Sequence, residues 1–365
     1  KPKTKKKTDY YDYSLLAVII LLTCFGLVML YSTSSYMAEL NYGDDMYYFK
    51  KQAAISFGCI IIALGISQID YHILTKFTGV LYGMAAVLMI LVKTPLGRTA
   101  NGARRWLNLG PLSFQPSEVA KIAVIVCLSY MIVNMGRRIK TLKAFMILAG
   151  SGSALAFLAY AFTDNLSTAI IILGIGVILI FASSPRYMQF VALGSAGIGF
   201  IAVFLAAESY RLERLAIWRD PEKYEKGFQT IQGLYAIGSG GLFGRGLGNS
   251  IQKLGFVPEA QNDMIFSIIC EETGLAGAII LILIFALLLW RLCVISMHCQ
   301  ELSGALLSAG IMGHLAIQVI LNIAVVTNTI PNTGITLPFI SYGGTSIAFL
   351  LGEMGIALNI SRYRK

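Results

Sequence analysis

Charged side chains are scarce in this 365-residue chain, 13% of residues against roughly 25% in a soluble domain, so those inside apolar runs call for a chemical reason. Lys121 lies about one turn into an apolar block, behind Gln115-Pro116-Ser117-Glu118. Pro116 suits a first helical turn and Glu118 the positive end of the helix dipole, whereas a cation there opposes the dipole. Glu118 and Lys121 are three residues apart, share a helix face and can pair. A salt bridge that steadies the helix and direct contact with a substrate fit this spacing equally well. Asp263 ends the run Pro258-Glu259-Ala260-Gln261-Asn262-Asp263, where polar sequence gives way to apolar helix. Taken alone, that position reads as an N-cap. Glu271 falls roughly 80° round the same helix and Glu272 nearly opposite Asp263. Two acids in such a helix need a polar cavity or cationic partners. Glu353, in the last apolar block, poses the same problem with no partner in view.

Glycines form a third feature. Gly238, Gly240, Gly241, Gly244, Gly246 and Gly248 surround Ser239, Arg245 and Asn249. Such a loop can turn backbone amides toward phosphate, or it can be a flexible re-entrant segment. No strand precedes it, as a nucleotide fold requires. The run Leu337-Pro338-Phe339-Ile340-Ser341-Tyr342-Gly343-Gly344-Thr345-Ser346 is similar. Irregular backbone at membrane depth is tolerated only beside protein or a water-filled cavity.

Helices must position these residues. The chain is 56% hydrophobic with a mean hydropathy of +0.70, and its apolar residues come in blocks near the ~20 that cross a bilayer. The blocks predict an all-α integral membrane protein, one polytopic domain over 1–365. About ten transmembrane helices are expected, at 14–34, 52–69, 74–93, 116–135, 144–162, 166–183, 187–206, 263–290, 304–325 and 345–360. A polar turn at Thr163-Asp164-Asn165 separates the fifth and sixth. Lys1, Lys3, Lys5, Lys6 and Lys7 precede the first span, and alternate loops carry Lys76, Arg137, Arg138, Lys140, Lys143, Arg186 and Arg291. With Arg362, Arg364 and Lys365 at the end, the positive-inside bias puts both termini in the cytoplasm.

That orientation makes 1–13 a basic cytoplasmic N-terminus and leaves two functional outer loops, 94–115 and 208–262. The second is a large extracellular loop between spans seven and eight. Both are basic against the trend: Arg98, Arg104 and Arg105 lie in the first, and Arg211, Arg214, Arg219, Lys223, Lys226, Arg245 and Lys253 in the second. Anionic lipid headgroups are the plain explanation. An anionic ligand at the outer face is the sharper one, because guanidinium groups bind phosphate bidentately. Cys24, Cys59, Cys127, Cys270, Cys293 and Cys299 all avoid the outer loops, so neither a disulfide nor a zinc site is expected. The basic start predicts no cleavable signal, and no internal repeat is evident.

The chain resembles the SEDS family of cell-wall proteins (shape, elongation, division and sporulation), which includes FtsW, RodA and SpoVE. The resemblance is carried by Asn101-Gly102-Ala103-Arg104-Arg105-Trp106, Phe114-Gln115-Pro116-Ser117-Glu118 with Lys121, Pro258-Glu259-Ala260 through Asp263, and Leu337 to Ser346. Gly246-Leu247-Gly248-Asn249-Ser250, followed by Gln252-Lys253-Leu254, looks more like the FtsW/SpoVE branch than RodA. What the resemblance implies is a peptidoglycan glycosyltransferase that polymerises lipid II at the outer face of a bacterial cytoplasmic membrane. Asp263 would be the general base and polyprenyl pyrophosphate the leaving group. Substrate contacts are implied for Arg104, Arg105, Trp106, Glu118, Lys121, Arg211, Arg214, Glu259 and Ser341. No protein metal site is expected, and a divalent cation (Mg or Mn) at the pyrophosphate is the only cofactor in question. Expected partners are lipid II, the growing lipid-linked glycan, a class B penicillin-binding protein (transpeptidase) and divisome membrane proteins, with no nucleic acid.

Two departures from the family pattern stand out. The usual Thr-Asp-Phe is Asn262-Asp263-Met264 here, and the usual Gln-Pro-Asp-Leu-Gly-Thr is Thr163-Asp164-Asn165-Leu166-Ser167-Thr168, which withholds a role from Asp164. Two rival readings share the topology. A lipid II flippase needs a polar path to the inner leaflet. A non-catalytic scaffold recruiting a wall transpeptidase would use the charged loops as a docking surface.

Overall fold

The computed structural model describes residues 10–100, 103–109, 112–183, 190, 194 and 215–363. Apart from residues 190 and 194, the span expected at 187–206 lies outside these, together with Arg211 and Arg214. In chain order the helices are α1 (Tyr13–Tyr42), α2 (Tyr47–Ile66), α3 (His72–Lys76), α4 (Thr78–Leu91), α5 (Pro116–Met135), α6 (Leu142–Thr163), α7 (Leu166–Ser183), α8 (Phe228–Ser239), α9 (Ile265–His298), α10 (Leu302–Val326) and α11 (Gly344–Ser361). Among the described residues, α1, α2, α5, α6, α7, α9, α10 and α11 are long and apolar enough to cross a membrane, and α4 is a shorter apolar helix. The protein is a helical membrane protein.

Pro116 starts α5 and the polar turn divides α6 from α7, as the residue types predict. Asp164 takes the left-handed C-cap conformation of α6, at φ 48°. Asn165 Oδ1 accepts the Thr168 N–H at 3.0 Å and caps α7. Helix α1 runs past its apolar block to Gly43, whose φ of 66° and N–H bond to the Glu39 carbonyl end it. None of the six cysteines forms a disulfide.

One small sheet accompanies the helices. Between α4 and α5 the chain forms a three-stranded antiparallel sheet of β1 (Gly97–Ala100), β2 (Ala103–Leu109) and β3 (Leu112–Phe114). β1 and β3 are too short to show a period-2 pattern, and a bulge breaks the alternation within β2.

A second finding resolves the paired acids and the glycines together. Helix α9 breaks at Gly274, whose φ of 69° and ψ of −169° are not helical. The glycine-rich loop docks into the break. Arg245 and Gly246 donate their backbone N–H to the Glu271 and Glu272 carbonyls, each at 3.0 Å, while Leu275 and Ala276 donate to Gly241 and Leu242. Side chains complete the joint: Glu272 takes Lys253 Nζ at 2.9 Å and Ser32 Oγ from α1 at 2.6 Å. Glu271 accepts Ser250 Oγ and the Ile251 N–H. The glycines therefore serve close approach: a Cβ on Gly240 would stand 2.0 Å from the Cys270 carbonyl oxygen.

Gly274→Ala should accordingly lower the melting temperature of the detergent-purified protein sharply. The φ of 69° with ψ of −169° lies in a region essentially reserved for glycine, which alone costs about 1–3 kcal/mol, and the new Cβ would lie 2.3 Å from the Gly244 backbone nitrogen, which has no room to yield. An unchanged melting temperature would refute the docked-loop geometry.

Candidate active site

The bundle's end opposite Arg137, Arg138, Arg291 and Arg362 holds a cavity of about 1050 Å³. Its walls come from segments far apart in sequence: Lys51 and Ile55 of α2, Arg105 and Trp106 of β2, Gln115 and Glu118 at the start of α5, residues 217–230, residues 259–263 and residues 328–348. Asp263, Glu259, Glu118, Arg105 and Trp106 all line it, so most of the residues singled out by type and spacing converge. Among the described lining residues, three cations (Lys51, Arg105, Lys226) face three acids (Glu118, Glu259, Asp263).

The sheet sorts the arginines. Trp106 pairs with Arg98 and Arg104 with Thr99, which leaves Arg105 as the extra residue of a β-bulge. A bulge re-aims side chains, and here it lets the consecutive Arg105 and Trp106 both reach the cavity. Arg104 turns away and staples the sheet to the end of α4, donating to the carbonyls of Gly97 (3.3 Å) and Lys93 (3.2 Å). Arg105 Nη2 also donates to the Asp164 carbonyl at 3.1 Å, and the Asp164 carboxylate pairs with Lys93 at 2.9 Å. Asp164 thus anchors the sheet.

Asp263 is not a helix cap. The cap position of α9 is Met264, with no side-chain cap bond. What fixes Asp263 is its backbone: Asn322 Nδ2 of α10 donates to the Asp263 carbonyl (2.8 Å), Ser341 Oγ to the Asn262 carbonyl (2.6 Å), and the Tyr342 N–H to the Gln261 carbonyl (2.9 Å). Ser341 also accepts the Leu337 N–H at 2.8 Å. It is buried behind the cavity wall and acts there as a tie between the two motifs. Burial pushes the Asp263 carboxyl up to about 7, and the charge of Glu259 adds to the rise; its own and Met264's backbone N–H and the Gln229 amide pull the other way. Glu259 sits at φ 55° with Asn262 Nδ2 donating to its carboxylate. A left-handed glutamate is backbone strain of the kind that collects at functional sites.

Lys121 does not line the cavity. Its Nζ lies 2.9 Å from Glu118 Oε1, both side chains being buried, and 3.3 Å from Gln318 Oε1 on α10. Sequence reasoning missed Lys51, Gln229 and Trp218, and it named Lys226 and Tyr342 only within a basic loop and a motif, without a site role of their own. Trp218 is held by Asn328, whose carbonyl accepts the indole N–H at 2.9 Å. A basic residue at the outer start of a span was the available signal for Lys51; Gln229 carried none.

The family model of the FtsW/RodA/SpoVE cell cycle proteins matches residues 12–365. Stage V sporulation protein E of Bacillus subtilis (strain 168) is 38% identical over 368 residues, covering 99% of this chain and 100% of that one. A probable peptidoglycan glycosyltransferase FtsW of Geobacter sp. (strain M18) is 34% identical, covering 98% of each. Two solved structures are similar throughout. A chain from "Structural coordination of polymerization and crosslinking by a peptidoglycan synthase complex" has a TM-score of 0.82 at 27% identity, covering 97% of this chain and 99% of that one. The rod shape determining protein RodA of Thermus thermophilus has a TM-score of 0.72 at 26% identity, covering 97% of each. With its apolar helices and bacterial relatives, this is a multi-pass protein of the bacterial cytoplasmic membrane, and the chain belongs to the FtsW/RodA/SpoVE family.

Proposed function

We propose that the protein is a peptidoglycan glycosyltransferase that polymerises lipid II at the outer face of the membrane, with Asp263 as general base. The observation that carries this is a half-buried carboxylate, raised to about 7, in a large cavity that also holds three cations. A base is most effective when its pKa lies near the working pH. The carboxylate takes the proton of the acceptor sugar hydroxyl; that oxygen bonds to the anomeric carbon of the donor. The carbon–oxygen bond to pyrophosphate breaks, and the leaving group keeps the electron pair. Since pyrophosphate leaves readily, the acid half of a glycosidase pair is dispensable.

Lys51, Arg105 and Lys226 stabilise the charge that develops on the leaving group. A divalent cation would take its oxygen ligands from the pyrophosphate and one or two cavity carboxylates, the usual way magnesium is held. A second cavity of about 390 Å³ shares Ala348 with the first and is lined by Ile66, Leu74, Ile122, Phe349 and Ile356. Its apolar walls suit the polyprenyl tail. The solved synthase complex extends the reading to a crosslinking partner, a class B penicillin-binding protein.

Purified protein given lipid II and no other polymerase should form glycan. Label crossing the bilayer without glycan would make it a flippase, and neither result would leave a scaffold. The pH profile is a further expectation. The carboxylate is the active form, so turnover should fall by about tenfold per unit below the Asp263 pKa. Gln229→Leu removes a group that favours the carboxylate, so its acid limb should move to higher pH. A limb that stays in place would detach Gln229 from the base.

A further inference from the structure

Behind Glu118 runs a file of buried side chains through three spans: Glu118 and Lys121 on α5, Gln318 and His314 on α10, and Glu353 on α11. Each is 7% exposed or less. Lys121 Nζ reaches Glu118 Oε1 (2.9 Å) and Gln318 Oε1 (3.3 Å). His314 Nε2 lies 2.9 Å from the same Gln318 oxygen, and its Nδ1 lies 2.8 Å and 3.1 Å from the Glu353 carboxyl oxygens. Glu353, an unexplained acid in the sequence, thus has its partner.

The order of protons along the file follows from chemistry. An ammonium only donates, so Gln318 must turn its oxygen to Lys121. Its amide nitrogen then donates to the Thr336 carbonyl at 3.1 Å. An amide oxygen only accepts, so His314 must carry a proton on Nε2. Nδ1 and Glu353 hold one further proton between them. Glu118 cancels Lys121, and the His314–Glu353 pair is neutral in sum, which is how so many polar groups lie among membrane helices. One oxygen stands outside this order: Glu118 Oε2 is buried with no hydrogen-bond partner among the described residues, although Glu118 belongs to the cavity wall.

We propose that Gln318, His314 and Glu353 are positioning residues of the active site. They hold the Lys121 ammonium on Glu118 Oε1, which leaves Oε2 as an unused acceptor at the cavity wall. An anionic pyrophosphate is repelled there; a sugar hydroxyl or amide N–H of the substrate is accepted. The ligand assignment rests on the reading of the cavity as a lipid II site, whereas the order of protons does not.

The test uses the full chain carrying Asp263→Asn, so that binding of fluorescent lipid II is read without turnover. Gln318→Leu and Glu353→Leu in that background should each weaken binding about tenfold, the scale of a lost hydrogen bond to a charged group. Glu353→Gln can still donate to Nδ1 and keep Nε2–H in place, so its affinity should stay within about threefold. A purely structural role predicts equal affinity in every variant that folds, and that result overturns the proposal. Nitrogen-15 spectra of the three histidines, with His314→Gln to assign the signal, supply a readout that needs neither ligand nor leucine variants. A proton on Nε2 of His314 is expected, and a bare Nε2 overturns the file. A background protein that binds no lipid II, with the proton found on Nε2, overturns the ligand and the functional reading together.

Discussion

Asp263→Asn is expected to leave a folded protein that binds lipid II yet forms glycan about 10²–10⁴-fold more slowly, the usual loss with a general base. The reasons lie in how the residue is held. Its position depends on backbone bonds from Asn322, Ser341 and Tyr342 to residues 261–263, and none of these changes with the side chain. The α9 cap falls on Met264, so no cap is at stake. Stability should even move the other way. The folded carboxyl titrates near 7, above its ordinary 3.8, so the fold resists ionisation. The native state then loses stability as pH rises from about 4 to about 7, relative to a side chain that cannot ionise. Asp263→Asn should therefore melt at or above the parent at pH 8, with the difference vanishing toward pH 4. A cap role predicts near-normal turnover in Asp263→Asn and a folding defect only in Asp263→Leu. Glycan formation by both purified proteins, beside melting temperatures at the two pH values, decides the matter. Comparable turnover would end the assignment.

The helices were legible because each had to hide its own backbone from lipid, which forces long apolar blocks with polar ends. Pro116-Ser117-Glu118 announced a helix start, and the i,i+3 spacing of Glu118 and Lys121 announced a pair now seen at 2.9 Å. Local rules sufficed there. They failed wherever a partner came from elsewhere in the chain. Glu272 finds Lys253 across a docked loop and Ser32 on the first helix, and Glu353 finds His314 on α10; neither pairing leaves a periodic trace. Arg104 and Arg105 look alike as residues, yet a single bulge sends one to the cavity and the other to α4. The glycine run suggested a phosphate cradle as readily as a re-entrant loop, and only the break at Gly274 shows which backbone it meets. The cavity wall itself, with Lys51, Trp218, Lys226 and Gln229, draws on separate segments that no window of sequence contains.

Lys121 offers the second large effect. Lys121→Ala strands the Glu118 carboxylate between α5 and α10, and breaking a buried pair costs about 3–5 kcal/mol, so both melting temperature and glycan formation should fall. That result alone would not separate a scaffold from a site. The double variant Glu118→Gln/Lys121→Met does, because it removes both charges while keeping two side chains of similar length. Its melting temperature should return toward that of the parent, since buried ion pairs are often replaced at little cost by uncharged groups of similar volume. Its turnover should not return. Glu118 stands in the cavity wall with Oε2 unpartnered, and an amide there offers a weaker acceptor and a different charge to whatever binds. Recovery of both stability and glycan formation would instead place the pair in the scaffold, and leave Asp263 and the cavity cations to do the chemistry without it.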